Sequence, residues 1–248
     1  MTGSLFVLLP PSEGKEAGGS RAVKIGAFDG TLGSSRLEVV GALARVLESD
    51  DETILIRTLG VRGPLLERAL AATRSVVEGR APVLPAYQRY SGVVWSHLDP
   101  ASISEATRRR ILVPSGLYGL SAGTDLVADF RLKMNVNLAP LGNIARYWRP
   151  LVTEAICGYV RRATVVNLLP KEHTAAIDFE MLGAVCDVID VSFVSHDGTR
   201  AVGHDAKAVK GLVAREVLTK GEGSIASFRW EGWKACVRGE RIEVVAPK

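Results

Sequence analysis

Short apolar runs that end at turn-forming residues predict the β-strands of this chain. The first run, LFVLL at residues 5–9, stops at two prolines. Runs of about four to eight apolar or β-branched residues beside such breakers are typical of buried strands. On this pattern we expect strands at residues 5–9, 111–113, 164–169 and 184–195, and three short strands around 225–245. The last two of these should form a hairpin that turns at Gly239-Glu240.

Apolar residues at helical spacing predict four long helices, at residues 34–49, 62–79, 143–162 and 204–220. In the first, Ser35 is the expected N-cap and Glu38 completes a capping box. The second has Pro64 in its first turn and Gly79 at its end, which are the usual places for these residues. A short helix should follow Asp99-Pro100, and residues 11–30 are polar and glycine-rich, which predicts a long loop.

The strands and helices do not alternate strictly, so a doubly wound parallel fold is not predicted. We expect an α+β fold: one compact domain over residues 1–248, with a mixed β-sheet and surrounding helices. The 31 Lys and Arg residues exceed the 27 Asp and Glu residues by 31 − 27 = 4, a mild basic bias that permits an anionic partner without requiring one.

The cysteines and the N-terminus indicate the compartment. Cys157, Cys186 and Cys236 are odd in number and widely spaced, which favours a reducing compartment over a disulfide framework or a zinc site. The apolar run at residues 5–9 is too short for the core of a signal peptide or for a membrane span. We therefore expect a cytoplasmic protein with no membrane partner.

Two glycines three residues apart, Gly116 and Gly119, follow the strand at residues 111–113. The segment Pro-Ser-Gly-Leu-Tyr-Gly-Leu resembles the hairpin of a helix-hairpin-helix unit, in which successive backbone N–H groups can bind a phosphate. The alternative is an ordinary turn after a strand, with Tyr118 packed inside. If the segment binds an anion, the contacts should come from Ser115, Gly116, Tyr118, Gly119, Asp125, Arg131 and Lys133.

Two further strands deliver polar side chains at their carboxyl ends, where ligands gather in sheets of this kind. The first is followed by Ser12, Glu13 and Lys15, whose Gly-Lys pair suggests an anion site but lacks the spacing of a Walker A loop. The second of these strands, at residues 164–169, delivers Asn167, Lys171, Glu172 and His173, and an adjacent Glu and His could transfer protons. Both segments could equally be solvated or structural. If the protein is an enzyme, which the sequence leaves open, the candidate catalytic residues are Lys15, Tyr118, Asn167, Glu172 and His173.

The helix at residues 204–220 has an apolar stripe and an opposite, basic face. Gly211 lies on the basic face, where a glycine costs about 1 kcal/mol against alanine. We expect a phosphate or another backbone to approach it there; the alternative is a solvated basic face. The anion contacts expected from this helix are His204, Lys207, Lys210, Gly211 and Arg215. The pairs His196-Asp197 and His204-Asp205 fit no standard ligand spacing, so we expect no metal site and no cofactor.

Together these motifs resemble the YaaA-type peroxide-stress proteins. The matching segments are PPSEGK, SGLYGLS with FRLKM soon after it, VVNLLPKEH, and the late AKAVKGLVAREV helix, in this order along nearly the whole chain. The chain departs from the family pattern at Pro11–Lys15 and Pro170–His173, where many relatives carry Ser-Pro-Ala-Lys and Ser-Asp-Glu-Tyr types of sequence. It therefore looks like a divergent branch.

The resemblance implies a cytoplasmic protein that limits damage by hydrogen peroxide and keeps free iron low. It also implies a positively charged cleft and a helix-hairpin-helix-like element that binds DNA. The partner would then be DNA, bound without sequence preference. The alternative is an enzyme of unassigned reaction that acts on an anionic small molecule or nucleotide in the same cleft. A protein that binds iron directly is a third hypothesis, which the scarcity of metal ligands disfavours. Oligomeric state cannot be inferred from these patterns.

Overall fold

A mixed sheet runs through the centre of the fold. The computed structural model describes residues 4–22, 24–239 and 241–247. In chain order the strands are β1 (Leu5–Leu8), β2 (Val83–Pro85), β3 (Ile111–Ser115), β4 (Gly119–Ala122), β5 (Leu126–Ala128), β6 (Asn137–Leu138), β7 (Gly142–Asn143), β8 (Thr164–Asn167), β9 (Asp187–Val194), β10 (Arg229–Trp230), β11 (Trp233–Arg238) and β12 (Arg241–Val245). Eight of them form the main sheet, in the order β10-β11-β12-β9-β8-β1-β3-β4. The pairs β2–β5 and β6–β7 form two small separate sheets.

The helices surround this sheet. They are α1 (Asp29–Leu47), α2 (Glu52–Leu59), α3 (Pro64–Val77), α4 (Ala86–Arg89), α5 (Val93–Leu98), α6 (Glu105–Arg108), α7 (Ile144–Tyr159), α8 (Lys171–Thr174), α9 (Phe179–Gly183) and α10 (His204–Lys220), with short 3₁₀ turns at Pro100–Ser102 and Glu222–Ser227. The mixed α+β class predicted from the sequence is confirmed. None of the helices among the described residues has the length and apolar character needed to cross a membrane.

The middle of the main sheet is parallel. Strands β12, β9, β8, β1 and β3 run in one direction, whereas β4 pairs antiparallel with β3 at one end, and β11 and β10 continue antiparallel from β12 at the other. The carboxyl ends of the five parallel strands therefore meet at one edge of the sheet. The polar segments that follow β1 and β8 leave the sheet at this shared edge, which is where ligands bind in parallel sheets.

Each face of the sheet is covered by its own apolar core. Alternate residues of a strand point to opposite faces: Val7 of β1 packs in the core that contains α5 and α10, and Leu8 packs in the core that contains α1 and α7. Ile111 and Leu112 of β3 divide in the same way. The central strands β1, β3 and β8 are buried almost throughout, so their sequences are nearly continuous apolar runs, which is the signal that predicted them.

Most predicted elements are confirmed, with their ends shifted by a few residues. The exception at α1 is instructive: the helix begins at Asp29, so Ser35 lies inside it and is buried, and the predicted capping box is wrong. Instead the Asp29 carboxylate accepts a hydrogen bond from the Gly26 N–H at 2.8 Å. Helix α2 is not among the predicted elements, although it has an Asp51 N-cap and a left-handed Gly60 at its end. Strands β11 and β12 form the predicted tail hairpin, and Glu240 of its turn lies outside the described residues.

The predicted helix-hairpin-helix-like element is replaced by a β-hairpin. Ser115 pairs with Gly119, so residues 116–118 form the turn between β3 and β4, and strands rather than helices flank it. The two-glycine pattern is shared by both kinds of hairpin, since either one needs residues without a side chain where the backbone turns sharply.

Candidate functional site

A cavity of about 1010 Å³ lies at the carboxyl edge of the parallel strands, and we call it the strand-end cavity. The segments after β1, β3 and β8, namely residues 10–15, Gly116 and residues 169–173, contribute to its wall. Residues of α5, β9 and α10 and the segment at 130–134 complete it. The main-sheet topology thus brings together three polar segments that lie about 50 to 100 residues apart in the sequence.

Cationic side chains dominate the charged lining of the strand-end cavity. Among the described residues the lining contains seven Lys or Arg side chains and two carboxylates: Lys15, Arg131, Lys133, Lys171, Arg200, Lys207 and Lys210, against Glu13 and Glu172. Lys133, Lys171, Arg200 and Lys207 are exposed. The aromatic rings of Trp95, Phe130 and Phe193 lie in the same wall. Such a lining suits a ligand with an anionic group and a flat or apolar part.

The loop that carries Lys15 is fixed to the segment before α5. Lys15 and Tyr90 form an isolated antiparallel bridge. On either side of it, the Ser91 N–H donates to the Gly14 carbonyl oxygen at 3.1 Å, and the Glu16 N–H donates to the Arg89 carbonyl oxygen at 2.9 Å. These backbone bonds hold the Lys15 side chain at the cavity wall although the surrounding loop has no regular structure.

Arg89, which is not among the site residues predicted from the sequence, reinforces this arrangement from inside the protein. Its side chain is buried, and its guanidinium donates to the carbonyl oxygens of Val127 (3.2 Å), Gly18 (3.0 Å), Pro82 (2.9 Å) and Glu16. A buried guanidinium is tolerated only where such acceptors surround it. Burial lowers the pKa of Arg89 from its usual value. Nothing in the sequence distinguishes this arginine from an exposed one, because its acceptors come from distant loops.

Lys15 has an unusual environment for a lysine. Its ammonium donates to the Ser12 carbonyl oxygen at 3.0 Å, and its nitrogen lies 4.7 Å from the centre of the Phe130 ring and 5.8 Å from that of Tyr90. Burial, assisted by the nearby positive charge of Arg131, lowers the pKa of Lys15 to about 7. A substantial fraction of this side chain is therefore a neutral amine at physiological pH.

Lys210 and His173 form a second titratable pair in the strand-end cavity. The Lys210 nitrogen donates to the Leu168 carbonyl oxygen at 2.6 Å, and burial and the charge of Arg200 lower its pKa to about 8. Burial and the charge of Lys210 lower the pKa of His173 to about 4, so its imidazole is neutral at pH 7. Among the described residues the buried Nδ1 atom of His173 has no hydrogen-bond partner. Both groups could accept or donate a proton to a bound molecule.

Many of the residues predicted from the sequence line this one cavity. They are Ser12, Glu13, Lys15, Gly116, Arg131, Lys133, Lys171, Glu172, His173, Lys207 and Lys210. The others, which are absent from the lining, are Ser115, Tyr118, Gly119, Asp125, Asn167, His204, Gly211 and Arg215.

Tyr118, Asp125 and Asn167 have structural partners instead. The Tyr118 hydroxyl accepts a hydrogen bond from the Ala128 N–H at 2.9 Å. The Asp125 carboxylate accepts from the N–H groups of Ala27 (3.0 Å) and Ala122 (2.8 Å). The Asn167 amide donates to Asp190 at 2.7 Å, and its oxygen accepts from the Leu169 N–H. The polar groups of these three side chains are thus bonded within the chain, to strands and to neighbouring loops.

The two turn glycines are required by packing within the chain. A Cβ atom on Gly116 would lie 2.7 Å from the Leu132 carbonyl oxygen, and one on Gly119 would lie 2.7 Å from the Trp148 ring. Gly119 also has φ +65°, a conformation that favours glycine. The Trp148 indole N–H donates to the Gly116 carbonyl oxygen at 2.8 Å. Ser115 is buried, and its hydroxyl accepts from the Tyr118 N–H at 3.3 Å.

The basic face predicted for α10 is in part a packing surface. Gly211 is buried, and a Cβ atom there would overlap the Val94 carbonyl oxygen and lie 3.0 Å from the Leu98 nitrogen, so the close approach is that of α5. Arg215 contacts the end of α5: its guanidinium donates to the Leu98 carbonyl oxygen at 3.1 Å and pairs with Asp99 at 3.0 Å. His204 is exposed beside Asp205. Only Lys207 and Lys210 of this set face the strand-end cavity.

Known proteins of similar sequence place the chain in a family. Residues 5–237 match the family model described as peroxide stress protein YaaA. A UPF0246 protein of Streptomyces coelicolor is 33% identical over 227 residues, which cover 88% of this chain and 84% of that protein. A UPF0246 protein of Corynebacterium glutamicum is 29% identical over 219 residues, which cover 85% of this chain and 84% of that protein. The family predicted from the sequence motifs is thereby confirmed, and the chain belongs to the peroxide stress protein YaaA family.

Proposed function

We propose that this peroxide stress-related protein binds DNA through the strand-end cavity and its basic rim. The observation that supports the proposal is the excess of cationic over acidic side chains in the lining, at the edge of the sheet where parallel strands end. Lysine and arginine neutralise phosphate groups and release bound counterions, so this binding should weaken steeply as salt is added and depend little on base sequence.

A second candidate is a phosphate-bearing small molecule such as a nucleotide, on which the protein would act as an enzyme. Two features favour it. The cavity volume of about 1010 Å³ is at the upper end of the range of small-molecule pockets. The amines of Lys15 and Lys210 are partly buried, so a duplex backbone, which is wide and rigid, would reach the rim cations more easily than these amines.

Fluorescence anisotropy distinguishes the two candidates. A labelled 20-base-pair duplex, the corresponding single strand and a labelled nucleotide would be titrated at 50 and 200 mM salt. We expect affinity for the duplex to fall at the higher salt, and Lys133→Ala with Lys207→Ala to weaken binding and flatten the salt dependence. Lys24→Ala with Lys234→Ala is a matched control, because it removes the same charge from exposed positions outside the cavity lining.

Each outcome has a clear meaning. Equal weakening by both double variants would show that the attraction is to net charge rather than to the cavity. Tight binding of the nucleotide together with weak binding of the duplex would favour the small-molecule candidate. No binding of any of the three probes would contradict both.

The family assignment supports a role in peroxide stress. We propose further that the DNA-bound protein limits free-iron-driven damage under that stress. The test is a deletion strain complemented with the wild type or with the Lys133→Ala/Lys207→Ala variant. Survival after peroxide and free iron measured by electron paramagnetic resonance should be restored only by the wild type. Full restoration by the variant would separate the stress role from the cavity.

A further inference from the structure

The amine of Lys15 is presented to the strand-end cavity without the partners that normally keep a lysine charged. Its one hydrogen-bond acceptor in the described chain is the Ser12 carbonyl oxygen, at 3.0 Å. Among those same residues no carboxylate oxygen lies within 4.0 Å of its nitrogen. The rings of Tyr90 and Phe130 lie beside it, with their centres 5.8 and 4.7 Å from the nitrogen. An amine in such a setting is available as a nucleophile.

The charged groups that surround Lys15 act in opposite directions on its pKa. Arg131 and Arg89 disfavour its positive charge, whereas Asp129 and Glu13 favour it, and burial has the largest effect. The pKa is lowered to about 7, so a much larger fraction of Lys15 is a neutral amine at neutral pH than for an exposed lysine.

The same cavity supplies cations for a phosphate group. Lys133, Lys171, Arg200 and Lys207 are exposed at its lining, and Lys210 lies deeper. A bound molecule could therefore place a phosphate against these side chains while another of its groups reaches Lys15. The group that a neutral amine attacks most readily is a carbonyl carbon, and an aldehyde is the most reactive carbonyl of this kind.

We propose that Lys15 forms an imine with the aldehyde of a phosphate-bearing ligand in the strand-end cavity. The inference rests on the proposed binding of a phosphate-bearing partner there. The amine nitrogen attacks the carbonyl carbon and forms a C–N bond, and the proton that it loses passes to the carbonyl oxygen. The carbinolamine then breaks its C–O bond and loses the hydroxyl together with the remaining N–H proton as water, which leaves a C=N bond. No oxidant or reductant is consumed, and hydrolysis reverses the step.

The aldehyde with its phosphate could come from either of two sources: a free phosphorylated aldehyde, or an aldehydic abasic sugar within a nucleic acid strand. Borohydride reduction converts an imine into a stable secondary amine, so it traps either one. The probes are glyceraldehyde 3-phosphate and a 15-nucleotide single strand with one abasic site. The control strand carries a tetrahydrofuran at that site and has no aldehyde. The trapped position is identified by mass spectrometry of the peptides.

We expect a trapped adduct on Lys15 with at least one aldehyde probe, and none with the tetrahydrofuran strand. The adduct should be lost in Lys15→Arg, which keeps the charge and cannot form an imine, and retained in Lys207→Arg. Its rate of formation should rise with pH around 7 rather than around 10. The probe that gives the adduct, glyceraldehyde 3-phosphate or the abasic strand, identifies the source of the aldehyde. Because the wild-type adduct is mapped directly, the test does not depend on the stability of a variant.

Three results would overturn the proposal: an adduct on another lysine, an undiminished adduct in Lys15→Arg, or no adduct. Binding of the tetrahydrofuran strand, measured by anisotropy, separates failure of the imine step from failure of the proposed function. If that strand binds and the aldehyde probes are not trapped, the imine is wrong and phosphate binding stands. If the tetrahydrofuran strand does not bind and no aldehyde probe is trapped, both the imine and the proposed phosphate binding are wrong.

Discussion

Replacing Gly211 with alanine tests how α10 and α5 pack against each other. On an exposed helix face this change stabilises a protein, since alanine exceeds glycine in helix propensity by about 1 kcal/mol. Gly211 is buried, however, and the new methyl group would overlap the Val94 carbonyl oxygen. It would also lie 2.9 Å from the His97 Cβ atom and 3.0 Å from the Leu98 nitrogen. Two of these three atoms belong to the backbone, so α5 itself must move.

Overpacking of this kind costs about 1–3 kcal/mol, and the gain in helix propensity returns part of it. We therefore expect Gly211→Ala to lower the free energy of unfolding by about 1–2 kcal/mol. The assay is urea unfolding followed by tryptophan fluorescence, with the midpoint and the slope compared with those of the wild type. An unchanged slope would show that the loss arises in the folded state.

Gly41→Ala is the matched control, because Gly41 lies within α1 and a Cβ atom there would have no neighbour within 4 Å. This variant should gain up to about 1 kcal/mol. If Gly211→Ala is as stable as Gly41→Ala, the packing of α5 on α10 described above is wrong. Since α5 and α10 both line the strand-end cavity, Gly211→Ala should also weaken anion binding, through displacement of Val94 and Lys210.

Three further predictions follow from single side chains. Arg215→Ala should lower the free energy of unfolding by about 1 kcal/mol, because it removes the hydrogen bond to the Leu98 carbonyl oxygen and the partly exposed ion pair with Asp99. The salt dependence of anion binding should be unchanged in this variant. A flattened salt dependence in the titration would show that Arg215 contributes to the anion site. The folded protein disfavours the charged form of Lys15, whose native pKa of about 7 lies below the ordinary 10.5. Lys15→Met removes this cost and should therefore raise the free energy of unfolding at pH 7 by about 1–3 kcal/mol. In urea titrations, the stability difference between Lys15→Met and the wild type should have its full size below pH 7 and disappear above pH 10.5. A stability difference that does not depend on pH would show that Lys15 keeps an ordinary pKa. The native pKa of His173, about 4, lies below the ordinary 6.5. Its neutral imidazole therefore contributes to the free energy of unfolding fully above pH 6.5, and about 1–3 kcal/mol of this stability is lost as the pH falls to 4. His173→Asn should remove that part of the acid sensitivity, and an identical pH profile in the variant would contradict the burial of a neutral imidazole.

The sequence predicts those elements whose signal is local. The apolar run of β1 and the bounds of α10 are local features, because both depend on residues next to one another. The carboxyl edge of the sheet is also predicted in part, since two of the polar segments were expected to follow buried strands. The family motifs at PPSEGK and VVNLLPKEH occupy this edge.

The errors arise where a residue has a distant partner. Of the two close approaches expected at Gly211, a phosphate or another backbone, the structure shows the backbone of α5; helical periodicity does not distinguish them, because it describes one buried face, whereas α10 is buried against the sheet on one side and α5 on another. For the hairpin glycines the sequence leaves a phosphate-binding turn and an ordinary turn as alternatives, because it does not show Trp148 and Leu132 packed against them. Arg89 escaped notice for the same reason: its four acceptors lie in segments that meet only in the folded protein.

The central claim is that the strand-end cavity binds a phosphate group, and a crystal structure with a short single-stranded oligonucleotide tests it most directly. We predict phosphate oxygens within hydrogen-bond distance of at least two cavity cations among Lys133, Lys171, Arg200, Lys207 and Lys210. A well-ordered oligonucleotide bound elsewhere on the protein, with the cavity free of phosphate, would contradict the claim.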